Sequence, residues 1–461
     1  MPDNQEALIR NDEAETGGSC GDKRQQIPCK PKRYGKFHSD VYSRVNSPAQ
    51  SLGSCDDRLS LVSGTPAYLY DAAELEQRSR ELQAVLPPSS SPRLLYSFKA
   101  NPLPSVTAEL RRSGCEADLT SPGELAAAEV AGFDLSKALY GGPGKGEAEF
   151  AEAIDAGVRH FSIESCGDLS RLSAAATACG IPVRALLRIN PNNAPKAKLA
   201  MSGVASQFGF EEEELRTLGP GVLAGAGEKV TVVGFHLYWG TQIGEVDALL
   251  ASFEKTVELA DELAPLLGIR LEILNLGGGF AWPYAHAGSG PDLSPLREGL
   301  AAIHANAGAS RSAQWWFESG RYLSGSSGTL LARVMEVKRS KDDRLFLILD
   351  TGIHHLGGMS GLGRIPRFSI DLLVPESRLG NETMVVDVVG PLCTPLDCLA
   401  KKIEIPRVEP GDLVAIPNVG AYGATASVGA FLSRPAPVEI LHRGGEVLAI
   451  HRLRTGHEAL S

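Results

Sequence analysis

From Gly64 to about Arg321 the sequence alternates short apolar runs with stretches whose apolar residues recur at helical spacing, and this alternation limits the available folds more than any other feature. The runs are Ala67–Tyr70, Leu94–Phe98, Ala117–Leu119, Ala138–Tyr140, His160–Ile163, Val183–Ile189, Val230–His236, Leu271–Leu276 and Trp315–Glu318. Between them lie segments such as GELAAAEVAG, EAEFAEAIDAG and VDALLASFEKTVELADELAPLLG, each with one apolar helical face. Strand and helix in alternation imply right-handed βαβ units and a parallel sheet. Eight or nine such units in about 255 residues match a (β/α)8, TIM-like barrel better than a doubly wound sheet. After Gly328 the rhythm changes to strand-like runs punctuated by Gly, Pro, Asn and Asp, among them TLLARVMEVKRS, RLFLILDTG, TMVVDVVG, DLVAIPNVG and VEILHRGGEVLAIHR. The expected organisation of this α/β chain is a polar leader over residues 1–58, a barrel over 59–321 and a mostly β domain over 322–461.

Composition removes several classes of function. The 461 residues carry 45 Lys plus Arg against 55 Asp plus Glu, a net charge of -10. Phosphate-backbone binding needs a dense basic face, so nucleic acid is not an expected partner, whereas small molecules and proteins are. No run of about 18 apolar residues occurs, so no membrane span is expected. The eight cysteines form no C-x-x-C and no cluster at zinc-ligand spacing, which points to neither a disulfide framework nor a structural metal. The start, MPDNQEALIRNDEAETGG, lacks the apolar core of a secretory signal and gives a cytoplasmic expectation. The rest of the leader is polar, with KPKRYGK at 30–36, and reads as a loosely attached or partner-docking segment.

In a barrel of this kind the chemistry sits at the C-terminal ends of the strands. There the sequence places Lys99, Asp118, Arg188, His236, the triplet Gly277-Gly278-Gly279 and Glu318. Each has an ordinary reading: an exposed loop charge, a core histidine, a tight turn. Together they describe one site. Backbone N–H groups without side chains suit close approach to a phosphate. A Lys in an apolar mouth can lose its proton and form a Schiff base with an aldehyde, and a carboxylate can pair with a ring nitrogen. Phosphate cradle, Schiff-base Lys and acidic ring partner are the requirements of pyridoxal 5'-phosphate.

The motifs resemble those of the fold-type III pyridoxal-phosphate decarboxylases, the group of diaminopimelate, ornithine and arginine decarboxylases, over roughly residues 64 to 445. YSFKANP (Tyr96 to Pro102) is similar to the cofactor-lysine motif and implies Lys99 as the Schiff-base residue. GFHLYWGTQ (Gly234 to Gln242) resembles the segment whose His stacks on the pyridine ring, which implies that role for His236, with Thr241 in the same motif. GGGF (Gly277 to Phe280) is similar to the phosphate loop, and ESGR (Glu318 to Arg321) to the motif whose Glu pairs with the ring nitrogen, with Gly320 and Arg321 beside the cofactor. Asp118 and Arg188 stand where the family keeps a polar network behind the lysine. GPLCTPLD (Gly390 to Asp397) resembles a loop that reaches into a partner subunit's site, which implies a homodimer with shared active sites and Cys393 as the acid that reprotonates the carbon after decarboxylation. GAYG (Gly420 to Gly423) implies Tyr422 as a contact to cofactor or substrate. Arg321, Arg364, Arg367, Thr394, Asp397 and Tyr422 are the implied substrate contacts, with a helix cap as the other reading of Asp397.

Two departures bear on the substrate. Tyr238 and Trp239 stand as extra residues between His236 and Gly240. Thr394 follows Cys393 where diaminopimelate decarboxylases carry Glu and ornithine decarboxylases Asp, and a neutral hydroxyl cannot balance a buried ammonium. The pattern is similar to decarboxylases of siderophore and antibiotic pathways, which act on an amino acid joined to citrate or to a carrier protein. Diaminopimelate decarboxylase proper, an amino-acid racemase and a non-catalytic binding homologue are the other readings. The racemase fits less well, because racemases place an Arg rather than a carboxylate at the ring nitrogen.

Overall fold

The structure, a computed structural model, describes residues 64–191, 206–357, 369–380, 382–454 and 456. Its strands are β1 Ala67–Asp71, β2 Arg93–Ser97, β3 Glu116–Leu119, β4 Leu139–Tyr140, β5 His160–Ile163, β6 Val183–Asn190, β7 Phe210–Glu211, β8 Val230–Leu237, β9 Ile273–Asn275, β10 Gln314–Ser319, β11 Gly328–Arg339, β12 Leu345–Leu349, β13 Thr383–Val389, β14 Cys398–Pro406, β15 Leu413–Ile416, β16 Val438–Arg443 and β17 Glu446–Arg452.

Strands β2, β3, β4, β5, β6, β8, β9 and β10 pair in parallel, each with the next, and β10 pairs with β2 to close the barrel. The short β7 hangs on the end of β6. Side chains two apart on a strand share a face, so on β10 Trp316 and Glu318 point inward while Trp315 and Phe317 pack outward. Trp316 joins Leu95, Leu139, Leu186, Val233 and Ile273 in one buried cluster. That apolar layer leaves the polar residues above it, at the C-terminal mouth.

The helices around the barrel follow from their end signals. Ser121 accepts from the Glu124 N–H and caps the helix Pro122–Val130, and Ser165 accepts from the Asp168 N–H to cap Cys166–Cys179. Glycines in the left-handed conformation stop three helices: Gly157 after Glu147–Ala156, Gly180 after Cys166–Cys179 and Gly268 after Val246–Leu267. No helix among the described residues is long and apolar enough to cross a membrane.

The second sheet runs in the order β14-β13-β12-β11-β1-β16-β17, with β15 also paired to β11. Here the structure departs from the expected boundaries. The run Ala67–Tyr70, expected to open the barrel, is antiparallel to β11 (Ala67 opposite Leu331) and parallel to β16 (Ala67 opposite Val438). The described residues therefore start inside the β domain and cross to the barrel through the helix Ala72–Val85, whose N-terminus Asp71 caps by accepting from the Ala73 N–H at 2.9 Å. A buried apolar strand reads alike in either sheet, because pairing is set by distant partners.

Candidate active site

Lys99 sits in the single turn Phe98–Ala100 that follows β2. The turn is tied to the β domain at two points: the Tyr422 N–H donates to Ala100 O (2.6 Å), and Asn101 Nδ2 donates to Gly420 O (3.0 Å). These bonds bring Lys99 and Tyr422 to one pocket, with Ser97, Tyr238, Thr241, Gly279, Phe280, Glu318, Ser319, Gly320 and Arg321.

Lys99 has solvent-exposed surface yet lies deep among protein groups, where charges are weakly screened. Burial works to lower its pKa, but Asp118, Tyr422, Glu318 and Tyr238 outweigh it and hold the amine above its ordinary range. The mouth is therefore not the apolar surrounding expected for a neutral amine: in the ligand-free site Lys99 is an ammonium. Asp118, at the end of β3, accepts from Ser97 Oγ at 2.7 Å and is pushed up to about 6 by burial and by Glu318, against the opposing pull of Lys99.

Glu318, on β10, is buried and accepts from Asn275 Nδ2 at 2.7 Å. His236 Nε2 lies 3.2 Å from Glu318 Oε1 without the alignment of a hydrogen bond, and Nδ1 lies 2.8 Å from Ser162 Oγ. Burial, reinforced by the Arg188 charge, pushes His236 down to about 3, so its imidazole is neutral. Arg188 itself is paired with Glu164 at 2.9 Å. Asp118, Arg188 and His236 thus form a polar floor; His236 is not among the residues that line the pocket, whereas Tyr238 is.

The glycine triplet is required by close backbone contacts. The Leu276 N–H donates to Trp316 O and the Glu318 N–H to Gly277 O, which presses this loop against β10. A Cβ on Gly278 would lie 1.9 Å from Glu318 O. The Gly277 N–H is taken by Asn275 Oδ1 at 2.9 Å, so it is not one of the free donors expected from the sequence. Among the described residues, the N–H groups of Gly278 and Gly279 face no protein acceptor. Next to them Arg321 is held between the rings of Tyr422 (4.7 Å) and Tyr284 (5.2 Å) and has no carboxylate partner among the described residues.

The loop residues fall elsewhere. Cys393 and Thr394 do not line this pocket, and Cys393 is exposed. Asp397 is buried, and its carboxylate accepts from the Ile353 N–H and the Leu392 N–H, both at 2.8 Å. The helix-cap reading of Asp397 is corrected, because the element after it is strand β14, and its oxygens are engaged by backbone of its own chain. Arg364 and Arg367 lie outside the described residues.

A phosphorylated pyridine aldehyde fits what is present. The pocket supplies an amine, a carboxylate fixed by Asn275, unpaired backbone donors beside an arginine, and two buried atoms without a protein partner, Ser319 Oγ and Arg321 Nε. Fold and site together define a pyridoxal-phosphate enzyme built on a barrel with an attached β domain.

Comparison with known proteins places it more closely. The family described as "Pyridoxal-dependent decarboxylase, pyridoxal binding domain" matches residues 72–325. A relative named L-glutamyl-[BtrI acyl-carrier protein] decarboxylase, from Niallia circulans, is 34% identical over 86% of this chain and 93% of its own. A diaminopimelate decarboxylase from Zymomonas mobilis is 30% identical over 84% and 90%. The crystal structure of diaminopimelate decarboxylase from Helicobacter pylori complexed with L-lysine superposes with a TM-score of 0.74 at 25% identity, covering 86% of this chain and 95% of that one. The chain belongs to the pyridoxal-dependent decarboxylase family, the fold-type III group, and is a pyridoxal-phosphate-dependent amino-acid decarboxylase.

Proposed function

We propose that the substrate is an amino acid presented as a conjugate, with L-glutamate on a carrier protein as the first candidate. The observation that carries this is the state of loop 390–397. Thr394 is neutral, and the loop's one carboxylate, Asp397, is turned inward onto two backbone N–H groups. A free diamino acid would bury a distal ammonium that needs a carboxylate opposite it, and this loop has none to offer. An acid tethered through its side chain has no such charge. The carrier-specific relative, at 34% identity, supports the same choice.

Within the site, Lys99 holds the cofactor, Glu318 faces the ring nitrogen, and Gly278, Gly279 and Arg321 hold the phosphate. When bound, pyridoxal phosphate supplies the sink for the electron pair that remains as carbon dioxide leaves. Glu318, kept in place by Asn275, maintains the proton on the ring nitrogen. Tyr422 and Arg321, stacked on each other, close the pocket from the β-domain side.

Cys393, exposed and outside its own pocket, belongs to the site of a second copy in a two-fold dimer and returns a proton to the decarboxylated carbon. The exposed apolar residues Leu396, Val428, Phe431 and Leu432 on the same loops are the surface that such a partner covers. Arg434, whose Nη2 donates to Pro391 O, holds the two loops side by side.

The test is carbon dioxide release from L-glutamate loaded on a carrier protein, beside free glutamate, diaminopimelate and ornithine. Turnover of the tethered acid well above the free ones is expected. Turnover of diaminopimelate alone overturns the proposal.

A further inference from the structure

Two side chains, that of His236 near the end of strand β8 and that of Tyr238 one residue beyond the strand, reach the mouth of the barrel. They come to rest at different depths. His236 is buried against Ser162 and Glu318 under the floor, whereas Tyr238 stands in the pocket wall with Lys99 Nζ 5.8 Å from its ring centroid.

The neighbours of Tyr238 fix it there. Trp239 turns the other way and donates Nε1–H to Thr256 Oγ1 at 2.7 Å. Gln242, in the left-handed region at φ 59°, is locked to Trp282 by two reciprocal hydrogen bonds of 2.9 Å. Gly277 leaves room for the ring: a Cβ there would lie 3.3 Å from Tyr238 Cδ2 and 2.3 Å from Leu237 O. The first glycine of the triplet thus seats the tyrosine, and the other two face the phosphate.

We propose that Tyr238 is the aromatic wall against which the pyridine ring lies, and that His236 acts one layer deeper as a positioning residue for Glu318. The wall is flat, large and anchored at both flanks. Unlike an imidazole, a phenol carries no charge around neutral pH, and burial raises the Tyr238 phenol further from ionisation. The assignment does not depend on which amino acid is decarboxylated.

The test uses the full chain stripped of cofactor and measures two quantities that do not require turnover: affinity for pyridoxal phosphate, and the circular dichroism of the bound cofactor, which reports how its ring is packed. Tyr238→Phe keeps affinity within about twofold and keeps the band. Tyr238→Leu weakens binding about tenfold, the scale of aromatic stacking on a heterocycle, and diminishes the band. His236→Asn retains the band and lowers kcat at unchanged KM. Thermal unfolding of each cofactor-free variant checks its folding, and Tyr238→Met replaces the leucine variant if that one does not fold. Parental affinity and an unchanged band in the non-aromatic variant overturn the proposal, as does loss of the band in His236→Asn alone.

Discussion

The charges of Lys99, Asp118 and Glu318 each have a counterpart that limits what they can do. Asn275 fixes one oxygen of Glu318, Ser97 fixes Asp118, and the two carboxylates together hold Lys99 protonated until a ligand redistributes the charge. Glu318→Gln removes the negative charge and keeps the shape. We expect kcat to fall about a hundredfold or more while cofactor binding persists, measured by steady-state kinetics beside absorbance of the bound cofactor. Buried histidines add a pH dependence. His236 and His354 are pushed down to about 3 and His355 to about 4, in each case chiefly by burial. Such a group is neutral when folded and takes a proton when unfolded, so its contribution is complete above about 6.5 and is lost as pH falls toward 3 to 4. His354 is the clearest case, since neither ring nitrogen has a partner and the ring lies 3.7 Å from that of His355. Thermal midpoints should therefore fall between pH 7 and pH 5, and His354→Leu should flatten that slope by up to about 1.4 kcal/mol per pH unit. An unchanged slope would contradict the assignment. Lys99, Glu318, Arg321 and Tyr422 were readable from the sequence because each sits in a short motif whose chemistry is local. Tyr238 was not: it stands past the end of β8 and reads as an insertion, and its place in the pocket wall follows from contacts with distant residues.

At the scale of elements, the barrel strands were readable because a buried parallel strand needs a continuous apolar run, and those runs stand out between helical segments. One strand was read into the wrong sheet, and β14, like the two-residue β7, escaped. Strand β1 has the same apolar character as a barrel strand, and only its partners β11 and β16, hundreds of residues away, decide its sheet. Strand β14, CLAKKIEIP, follows a bulged, partly exposed course against β13, so its apolar residues do not alternate cleanly. Asp397, just before it, fastens the loop carrying Cys393 to the turn after β12 through Ile353 and Leu392. Asp397→Ala leaves both N–H groups without their partner, that of Leu392 buried and that of Ile353 partly buried, at a cost of about 1–3 kcal/mol for the buried one and less for the other. The expected result is a lower thermal midpoint with cofactor affinity retained. Loss of cofactor binding at an unchanged midpoint would instead point to a direct role in the site.

For the whole molecule, the β domain is not an appendage. It takes in the first described strand, supplies Tyr422 through hydrogen bonds to Ala100 and Asn101, and displays Cys393 away from its own pocket. A dimer in which each copy completes the other's site makes a specific prediction. Mixing Lys99→Ala with Cys393→Ala subunits, each weak alone, should restore up to about a quarter of parental activity, since random pairing regenerates one intact site in half of the dimers. No recovery would argue that the sites are not shared. The central claim, that this chain is a decarboxylase working through a cofactor joined to Lys99, is tested most directly by borohydride reduction of the pyridoxal-phosphate-loaded protein followed by peptide mass mapping. The account predicts a pyridoxyl group on the peptide containing Lys99, and a label on another lysine, or none, would contradict it.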